Sequence, residues 1–273
     1  MQLDHLLFDV SEHIATLTLN RPEARNAFST EMRQSLATAL EHIRQKAGSD
    51  IKAVIITGAG GAFCAGGNVK AMQDRHQSSP IENRQNMREG HRVLKALRDL
   101  EMPVIAAVDG PAAGAGCNLA LACDFILASE RARFIQAFIR IGLVPDWAGM
   151  YLLPRIVGTQ KAKELIFSGR SLGAPEAKEL GLVFEVYDAA ELPQAARAFA
   201  GRFRHASTDA IGLAKTILNQ TFDIDFHTAL ELEAQAQSAI RSSDYHLESV
   251  KRFNSKQPLP FNWDQMDKET STH

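Results

Sequence analysis

The chain has 273 residues, of which 45% are hydrophobic and 23% charged, enough to bury a sizeable core in one large domain or in a domain with a smaller appendage. Its 30 basic and 32 acidic side chains give a formal net charge of -2, which excludes a global field that would draw it to nucleic acid or to an anionic membrane. The three cysteines, Cys64, Cys117 and Cys123, form no even set and have no metal-ligand spacing, which favours buried free thiols in a reducing cytoplasm and no metal.

The first half of the chain predicts strands that alternate with helices. Residues 13–20 alternate between apolar and polar side chains, as a half-buried strand does. A helix with Ser29 or Thr30 as its N-cap follows and ends before Gly48. Buried strands are predicted at 52–57, 103–108 and 125–128, and a small-residue helix at 117–122. This order predicts an α/β core with parallel strands.

Two segments bear on the location of the protein. The N-terminal sequence, MQLDHLLFDVSEH, lacks the basic start and the long apolar run of a signal peptide. The apolar stretch 103–128 is interrupted by aspartate, proline and glycine, which favours a buried strand, turn and helix over a membrane span. We therefore predict a cytoplasmic protein with neither membrane nor nucleic acid among its partners.

The second half of the chain predicts mostly helices. Helical patterns lie at 161–168, 175–180, 191–204, 209–220, 226–241 and 245–256. We predict that residues 1–200 form the α/β core domain and that residues 201–273 form a helical C-terminal region. Residues 72–86 are polar and show no clear period, so they are predicted to form a mobile loop or lid.

Two Gly/Ala-rich turns, at 58–67 and 110–116, each follow a predicted buried strand. Without large side chains, their N–H groups can approach a ligand closely, and two such donors on one carbonyl oxygen would form an oxyanion hole. Two other interpretations stay open. The glycines can simply permit tight turns and close packing. Alternatively, Gly58 begins a dinucleotide-binding fingerprint, although Phe63 stands where its third glycine belongs.

Five segments occur together in an order and spacing typical of one family: 20–27 (NRPEARNA), 62–69 (AFCAGGNV), 110–124, 142–146 (GLVPD) and 153–158 (LPRIVG). They resemble the crotonase, or enoyl-CoA hydratase/isomerase, superfamily, and the resemblance continues to Phe253. It implies a crotonase-like core of repeated β-β-α units. It also implies a helical C-terminal region that forms homotrimers or dimers of trimers.

The resemblance implies a site for acyl-CoA thioesters, with no cofactor apart from the coenzyme A carried by the substrate. The two oxyanion donors fall on the backbone N–H groups of Gly67 and Ala115, where Ala115 replaces a glycine common in the family. The substrate or CoA contacts that it implies are Arg25 and Ala27 beside the nucleotide, Ala65 near the adenine or pantetheine, Asn68, Asn118, Phe138 and Trp147, and Phe253 and Lys256 at the CoA of a neighbouring subunit.

Catalytic carboxylates decide which reaction of the family is expected. Hydratases of this family use two glutamates, whose positions fall here on Asn118 and Phe138, so a plain hydratase mechanism is disfavoured. Asp146 falls where several members carry a catalytic aspartate, among them the ring-opening isomerases of bacterial phenylacetate catabolism, which are closest in motif. The local sequence alone favours a turn or capping residue after Pro145, and the family position reverses that preference.

The sequence therefore predicts an enoyl-CoA isomerase in which Asp146 moves a proton between two carbons and Gly67 and Ala115 stabilise the enolate. Phe138 and Trp147 would raise the pKa of Asp146 by making the site apolar. The rivals are a hydratase or another CoA-ester lyase, a hydrolase with Asp146 as nucleophile, and a catalytically idle CoA-binding or RNA-binding scaffold. Histidines outside these motifs, including His91, are expected to be solvated.

Overall fold

Strands and helices alternate through the first two thirds of the computed structural model, which describes residues 3–68 and 79–263. Within these ranges the strands are β1 Leu6–Ser11, β2 Ile14–Leu19, β3 Ala53–Gly58, β4 Val104–Val108, β5 Pro111–Ala113, β6 Phe125–Ser129, β7 Arg133–Ile135, β8 Ser171–Gly173 and β9 Glu185–Tyr187. The helices are α1 Thr30–Gln45, α2 Pro80–Arg98, α3 Ala115–Leu121, α4 Gly149–Val157, α5 Thr159–Ser168, α6 Ala174–Glu179, α7 Leu192–Gly201, α8 Thr208–Leu218, α9 Phe226–Ile240 and α10 Asp244–Asn254.

The larger sheet has six strands in the order β1-β2-β3-β4-β6-β9. The β1–β2 hairpin is antiparallel and every other pair is parallel. Successive side chains of a strand point to opposite faces, so a strand buried on both faces contributes side chains to two hydrophobic cores. In β3, Val54 and Ile56 join the core that contains α1, whereas Ile55 joins the core beneath α7. The apolar run in the sequence thus results from burial on both faces.

A smaller sheet, in the order β5-β7-β8, stands beside the larger one. Each of β4 and β6 is followed closely by a strand of this smaller sheet and then by a helical segment, which is the β-β-α repeat predicted for the core. Isolated parallel bridges pair Phe28 with Gly67 and Cys64 with Ala112. They bring the first Gly/Ala turn against both the start of α1 and the second turn.

The α/β core of β-β-α units with C-terminal helices is confirmed, and the helices and strands that were predicted lie within a few residues of their expected bounds. Helix α1 begins as expected, with the Ser29 hydroxyl accepting a hydrogen bond from the Met32 N–H. The sequence did not predict β1, α2, α4 or the short strands β5 and β7–β9. Helix α4 was missed because Pro154 lies inside it, where proline normally ends a helical pattern.

The loop predicted at residues 72–86 is wrong from residue 80 onward. Ser79 and Glu82 form a reciprocal capping box, and Pro80 occupies the first turn, so a 19-residue helix begins there. Residues 72–78 of the predicted lid lie outside the described residues. No helix of the described ranges is long and apolar enough to cross a membrane. Cys64 and Cys117 are buried free thiols, and Cys123 is half-buried.

The first of the C-terminal helices, α8, is joined to the core by a largely buried ion pair. Lys215 donates a 2.7 Å hydrogen bond to Asp124 Oδ2 and a 3.0 Å bond to the Met102 carbonyl, and its side chain is only 10% exposed. Burial raises the pKa of Asp124, and the charge of Lys215 opposes this rise. Helices α9 and α10 have no buried residues in the single chain. A boundary between two regions at residue 200 stays a prediction.

Replacing Lys215 by methionine is expected to reduce the free energy of unfolding by about 2 kcal/mol, because it leaves the partly buried Asp124 carboxylate with the Val104 N–H but without its cation. Urea unfolding at pH 7 measures this change. The matched control is Lys95→Met, which breaks the exposed Lys95–Asp99 pair and should cost less than about 1 kcal/mol. Equal losses in the two variants would show that Lys215 does not fasten α8 to the core.

Candidate active site

A cavity of about 270 Å³ lies where the start of α1, the first Gly/Ala turn and the start of α3 meet. Five of the residues predicted for the site line it together: Gly67, Asn68, Ala115, Asp146 and Trp147. They come from segments that are far apart in the sequence. The fold therefore brings together the two predicted oxyanion donors and the predicted base.

The first donor is held in place by a close approach of the two Gly/Ala-rich turns. Gly66 has φ +87°, and a side chain there would bring Cβ to 2.5 Å from the Ala113 carbonyl oxygen and 3.2 Å from the Ala115 nitrogen. Only glycine fits such a position. The Gly66 carbonyl accepts a 2.8 Å hydrogen bond from the Phe28 N–H, which aligns Gly67 beside Phe28. The Gly67 amide is thus positioned next to the start of α3.

The second donor is the first residue of α3. The N–H groups in the first turn of an α-helix have no partner within the helix, and no side chain caps this one. Among the turn and loop hydrogen bonds of the described residues, neither Gly67 nor Ala115 donates its N–H to a backbone carbonyl. Two amides that face one cavity without such a partner can both bind one oxygen atom.

Asn26, which no sequence pattern indicated as a site residue, organises the first turn. Its side chain is fully buried, and its Nδ2 donates to the carbonyls of Ala59 and Ala62 at 2.8 and 2.7 Å. Its Oδ1 accepts a 2.8 Å bond from the Arg21 N–H. Asn26 also has φ +57°, a conformation that asparagine adopts more readily than most residues. The second asparagine of the segment NRPEARNA is the feature of the sequence that could have indicated this role.

Cys64 packs the two turns together. Its S–H donates to the Asn26 carbonyl at 3.0 Å, and burial raises the pKa of the thiol to about 12. A Cβ at Gly116 would lie only 2.3 Å from the Cys64 carbonyl oxygen, so glycine permits this contact. No helix begins within residues 58–68. The dinucleotide-binding interpretation of the first turn is therefore wrong, because that fingerprint requires a helix directly after the glycines.

Asp146 is held by a strained turn between a short 3-10 helix and α4. Its main-chain carbonyl accepts hydrogen bonds from the Gly149 N–H at 2.9 Å and from Asn118 Nδ2 at 2.8 Å. The next two residues, Trp147 and Ala148, have φ of +44° and +58°, which is unfavourable for residues with a side chain. The Trp147 ring stacks on Phe28 at a centroid distance of 4.2 Å. These contacts fix the backbone on which the carboxylate stands.

The electrostatic environment of Asp146 suits a base. Its side chain is half-buried, and its Oδ1 is buried without a hydrogen-bond partner among the described residues. Burial raises the pKa of Asp146 to about 6, and the charge of His91 and a hydrogen bond from its own backbone N–H partly oppose this rise. An aspartate that serves only as a turn or helix cap would hydrogen-bond through its side chain to the N–H groups of the residues that follow it. This geometry favours a chemical role over a capping role.

A second cavity, of about 830 Å³, lies on the other side of Asp146. Its lining is largely apolar and includes Met87, Leu143, Val144, Pro145 and Met150. His91 on α2 lines the same cavity, although its sequence context predicts a solvated histidine. Its ring is exposed in the chain, so it is both solvated and next to the site. The sequence could have indicated this location, because residues four apart lie on one face of a helix. Asn83, Met87 and His91 have this spacing.

Two further predicted residues lie behind this site and do not line either cavity. Asn118 is fully buried, and besides holding the Asp146 carbonyl it accepts a 2.8 Å hydrogen bond from Gln136 Nε2. The nitrogen and the oxygen of its side-chain amide thus both hydrogen-bond within the protein. Phe138 is buried, and its ring lies 3.5 Å from the position of a Cβ on Gly114. Both residues support the site from behind in this arrangement.

The predicted CoA contacts lie outside the lining of both cavities. Arg25 is exposed and its carbonyl accepts a 2.9 Å bond from the Ala65 N–H, while Ala27 is buried beside it. Phe253, at the end of α10, and Lys256 are exposed and outside the lining of both cavities. The roles of these five residues toward CoA stay predictions. Within residues 3–68 and 79–263, no group of three or more His, Cys, Asp or Glu side chains could hold a metal ion.

The chain is similar to known proteins over nearly its whole length. Residues 9–265 match the family described as enoyl-CoA hydratase/isomerase. The chain is 36% identical to the 1,2-epoxyphenylacetyl-CoA isomerase of Escherichia coli K12, over 95% of this chain and 98% of that protein. It is 34% identical to the short-chain-enoyl-CoA hydratase of Clostridium acetobutylicum, over 95% and 98%. An enoyl-CoA hydratase/isomerase crystal structure from Cupriavidus metallidurans CH34 matches with a TM-score of 0.91 at 42% identity, covering 96% of this chain and 97% of that one.

Proposed function

The chain belongs to the enoyl-CoA hydratase/isomerase family, and on that premise we propose that it is an enoyl-CoA isomerase that shifts a double bond from the β,γ to the α,β position. The observation that carries the proposal is the Asp146 carboxyl group between the two cavities, whose buried Oδ1 has no hydrogen-bond partner among the described residues. Relatives with either reaction in their names are similar to this chain, so the choice rests on the site.

Asp146 is a better candidate for the base than the other carboxylate of the smaller cavity. Glu31 also lines that cavity, but a backbone N–H and the Ser29 hydroxyl lower the pKa of its carboxyl group. A carboxylate stabilised in this way is a weak base, whereas burial makes Asp146 a stronger one. The family's two glutamate positions hold Asn118 and Phe138, so a second carboxylate to place water is missing from those positions.

In the proposed reaction the thioester carbonyl oxygen binds between the N–H groups of Gly67 and Ala115. Asp146 removes a proton from the carbon next to the thioester carbonyl, and the resulting dienolate places its negative charge on the oxygen held by the two amides. The same carboxyl group then returns the proton two carbons away. No oxidation state changes overall, so the proposal needs no redox cofactor, and CoA enters only as part of the substrate.

We further propose the family's trimeric or hexameric assembly. Large apolar side chains are exposed on the C-terminal helices and the segment between them, namely Leu218, Phe222, Phe226, Leu247, Val250 and Phe253. An apolar patch of this kind is typical of an interaction surface. In such an assembly Phe253 and Lys256 would contact the CoA of a neighbouring subunit, while Arg25, Ala27 and Ala65 contact CoA within the same chain.

A pair of assays tests the proposed function. With a β,γ-enoyl-CoA and with crotonyl-CoA as substrates, we expect double-bond migration to be at least about a hundredfold faster than hydration, because only one positioned base is available. Absorbance of the conjugated thioester follows the first reaction, and loss of that absorbance follows the second. Hydration faster than migration would identify the protein as a hydratase instead.

A further inference from the structure

His91 is fixed next to Asp146 by a helix contact that requires glycine. A Cβ on Gly90 would lie 2.7 Å from Trp147 Nε1, so α2 packs against the Trp147 ring at this glycine. His91 follows Gly90 and Asp146 precedes Trp147 in the sequence. The contact therefore holds the two titratable side chains at the walls of one cavity, which both of them line.

We propose that His91 is a positioning residue whose positive charge faces Asp146 across the larger cavity and keeps the carboxyl group ionised. For catalysis, this role rests on the proposed function of Asp146 as the base. The physical need follows from the site itself. Asp146 Oδ1 is buried without a hydrogen bond among the described residues, and an apolar acyl chain would remove still more water. A carboxylate in such surroundings becomes neutral unless an opposite charge lies nearby.

The charges around Asp146 single out His91. The other charged or titratable groups that line the two cavities with Asp146 are Arg21, Glu31 and Arg33 in the smaller one and Arg84 and Tyr151 in the larger one. Nonetheless it is the charge of His91 that opposes the rise in the Asp146 pKa caused by burial. Arg21 forms a 3.3 Å ion pair with Glu23, so its positive charge is balanced by a carboxylate other than Asp146.

The charges on the other side of His91 are mostly paired with each other. A third cavity of about 750 Å³ adjoins His91 and is also lined by Lys95, Arg98, Asp99, Glu101 and Asp223. Lys95 pairs with Asp99, Arg98 donates to the Asn219 side chain, and Asp223 pairs with Arg155. His91 is thus free to act on Asp146.

The consequence is a pH dependence with a defined sign. Removing a positive charge raises the pKa of a nearby carboxyl group, so Asp146 would be protonated over a wider acidic range without His91. The activity of the wild type should therefore fall below about pH 6, where Asp146 becomes protonated, and it should fall at a higher pH in a variant without the charge.

The test measures the protonation of Asp146 directly and does not need turnover. The carboxyl infrared band of Asp146 is isolated by subtracting the spectrum of Asp146→Asn, and is followed from pH 4 to pH 9. We expect a midpoint near 6 in the wild type and roughly 0.5 to 1 pH unit higher in His91→Gln. His91→Lys, which keeps a positive charge, should return the midpoint toward the wild-type value. Added salt should raise the midpoint of the wild type but not that of His91→Gln.

Arg92→Gln is the matched control, because Arg92 is the next residue of α2 but pairs with Glu89 at the exposed surface. Its midpoint should equal that of the wild type. A His91→Gln midpoint within about 0.2 pH units of the wild type, or an equal shift in Arg92→Gln, would overturn the proposal. The acid limb of kcat/KM should move with the infrared midpoint. If the infrared midpoint shifts but no enoyl-CoA is isomerised, the role of His91 stands and the proposed function fails.

Discussion

Replacing Asp146 by asparagine is expected to lower the rate of double-bond migration by roughly a hundredfold to ten-thousandfold, in line with the loss of a general base. Binding of the acyl-CoA should survive, because the amide keeps the shape of the side chain and the Gly67 and Ala115 N–H groups remain. Exchange of the proton next to the thioester carbonyl into heavy water, followed by NMR, measures the loss. Glu31→Gln removes the other carboxylate of the smaller cavity and should cost less than about tenfold.

The stability of Asp146→Asn separates loss of chemistry from loss of fold. Burial raises the pKa of Asp146 from 3.8 to about 6, so the folded protein opposes ionisation of this group. The resulting penalty is absent below pH 3.8, grows as the pH rises, and is complete above about pH 6. At pH 8 the variant should therefore be more stable than the wild type, by at most about 3 kcal/mol. If Asp146→Asn showed both slow exchange of the substrate proton and a lower free energy of unfolding than the wild type at pH 8, Asp146 would have a structural role.

Replacing Ala115 by proline is expected to lower the migration rate by roughly a hundredfold to a thousandfold, the usual cost of removing one oxyanion donor. Proline has no N–H, because its ring carbon Cδ is bonded to the backbone nitrogen in place of the amide hydrogen. The first position of a helix is also where proline is best tolerated. The residue before it, Gly114, has ψ -124°, outside the α region that a following proline disfavours. Steady-state kinetics and circular dichroism together measure the effect.

The matched control is Thr159→Pro, because Thr159 is exposed and is likewise the first residue of a helix that follows a glycine. It introduces the same ring at the same helical position, away from both cavities, and should change the rate by less than about twofold. If Ala115→Pro retained wild-type activity while folding normally, the Ala115 amide would not bind the developing oxyanion.

Local patterns predicted the parts of the fold that local physics determines. The apolar runs at β3 and β4 are buried on both faces, and Ser29 caps α1, so each was visible in the sequence. Helix α2 was missed because it lies partly on the surface and its first turn reads as polar loop. Helix α4 was missed because tertiary contacts keep Pro154 inside a helix. In both cases packing against the rest of the chain outweighed local propensity.

The site was predicted through glycines and one aspartate, and its supporting residues were not. Gly66 and Gly116 permit a close approach between turns that are about 50 residues apart, where an added Cβ would lie less than 3 Å from the opposite turn, and no local pattern reveals this. Asn118 was predicted to contact substrate, but its amide hydrogen-bonds the Asp146 carbonyl and Gln136. His91 faces the site only because α2 packs against Trp147 at Gly90. Such relations depend on the tertiary arrangement and therefore appear only in the structure.

The most direct measurement is a crystal structure with a bound acyl-CoA that cannot be isomerised. We expect the thioester oxygen to lie about 2.7 to 3.1 Å from the nitrogen atoms of both Gly67 and Ala115, with the Asp146 carboxylate against the acyl carbons on either side of the migrating double bond. An oxygen bound away from either amide, or an acyl chain that leaves Asp146 without contact, would contradict it.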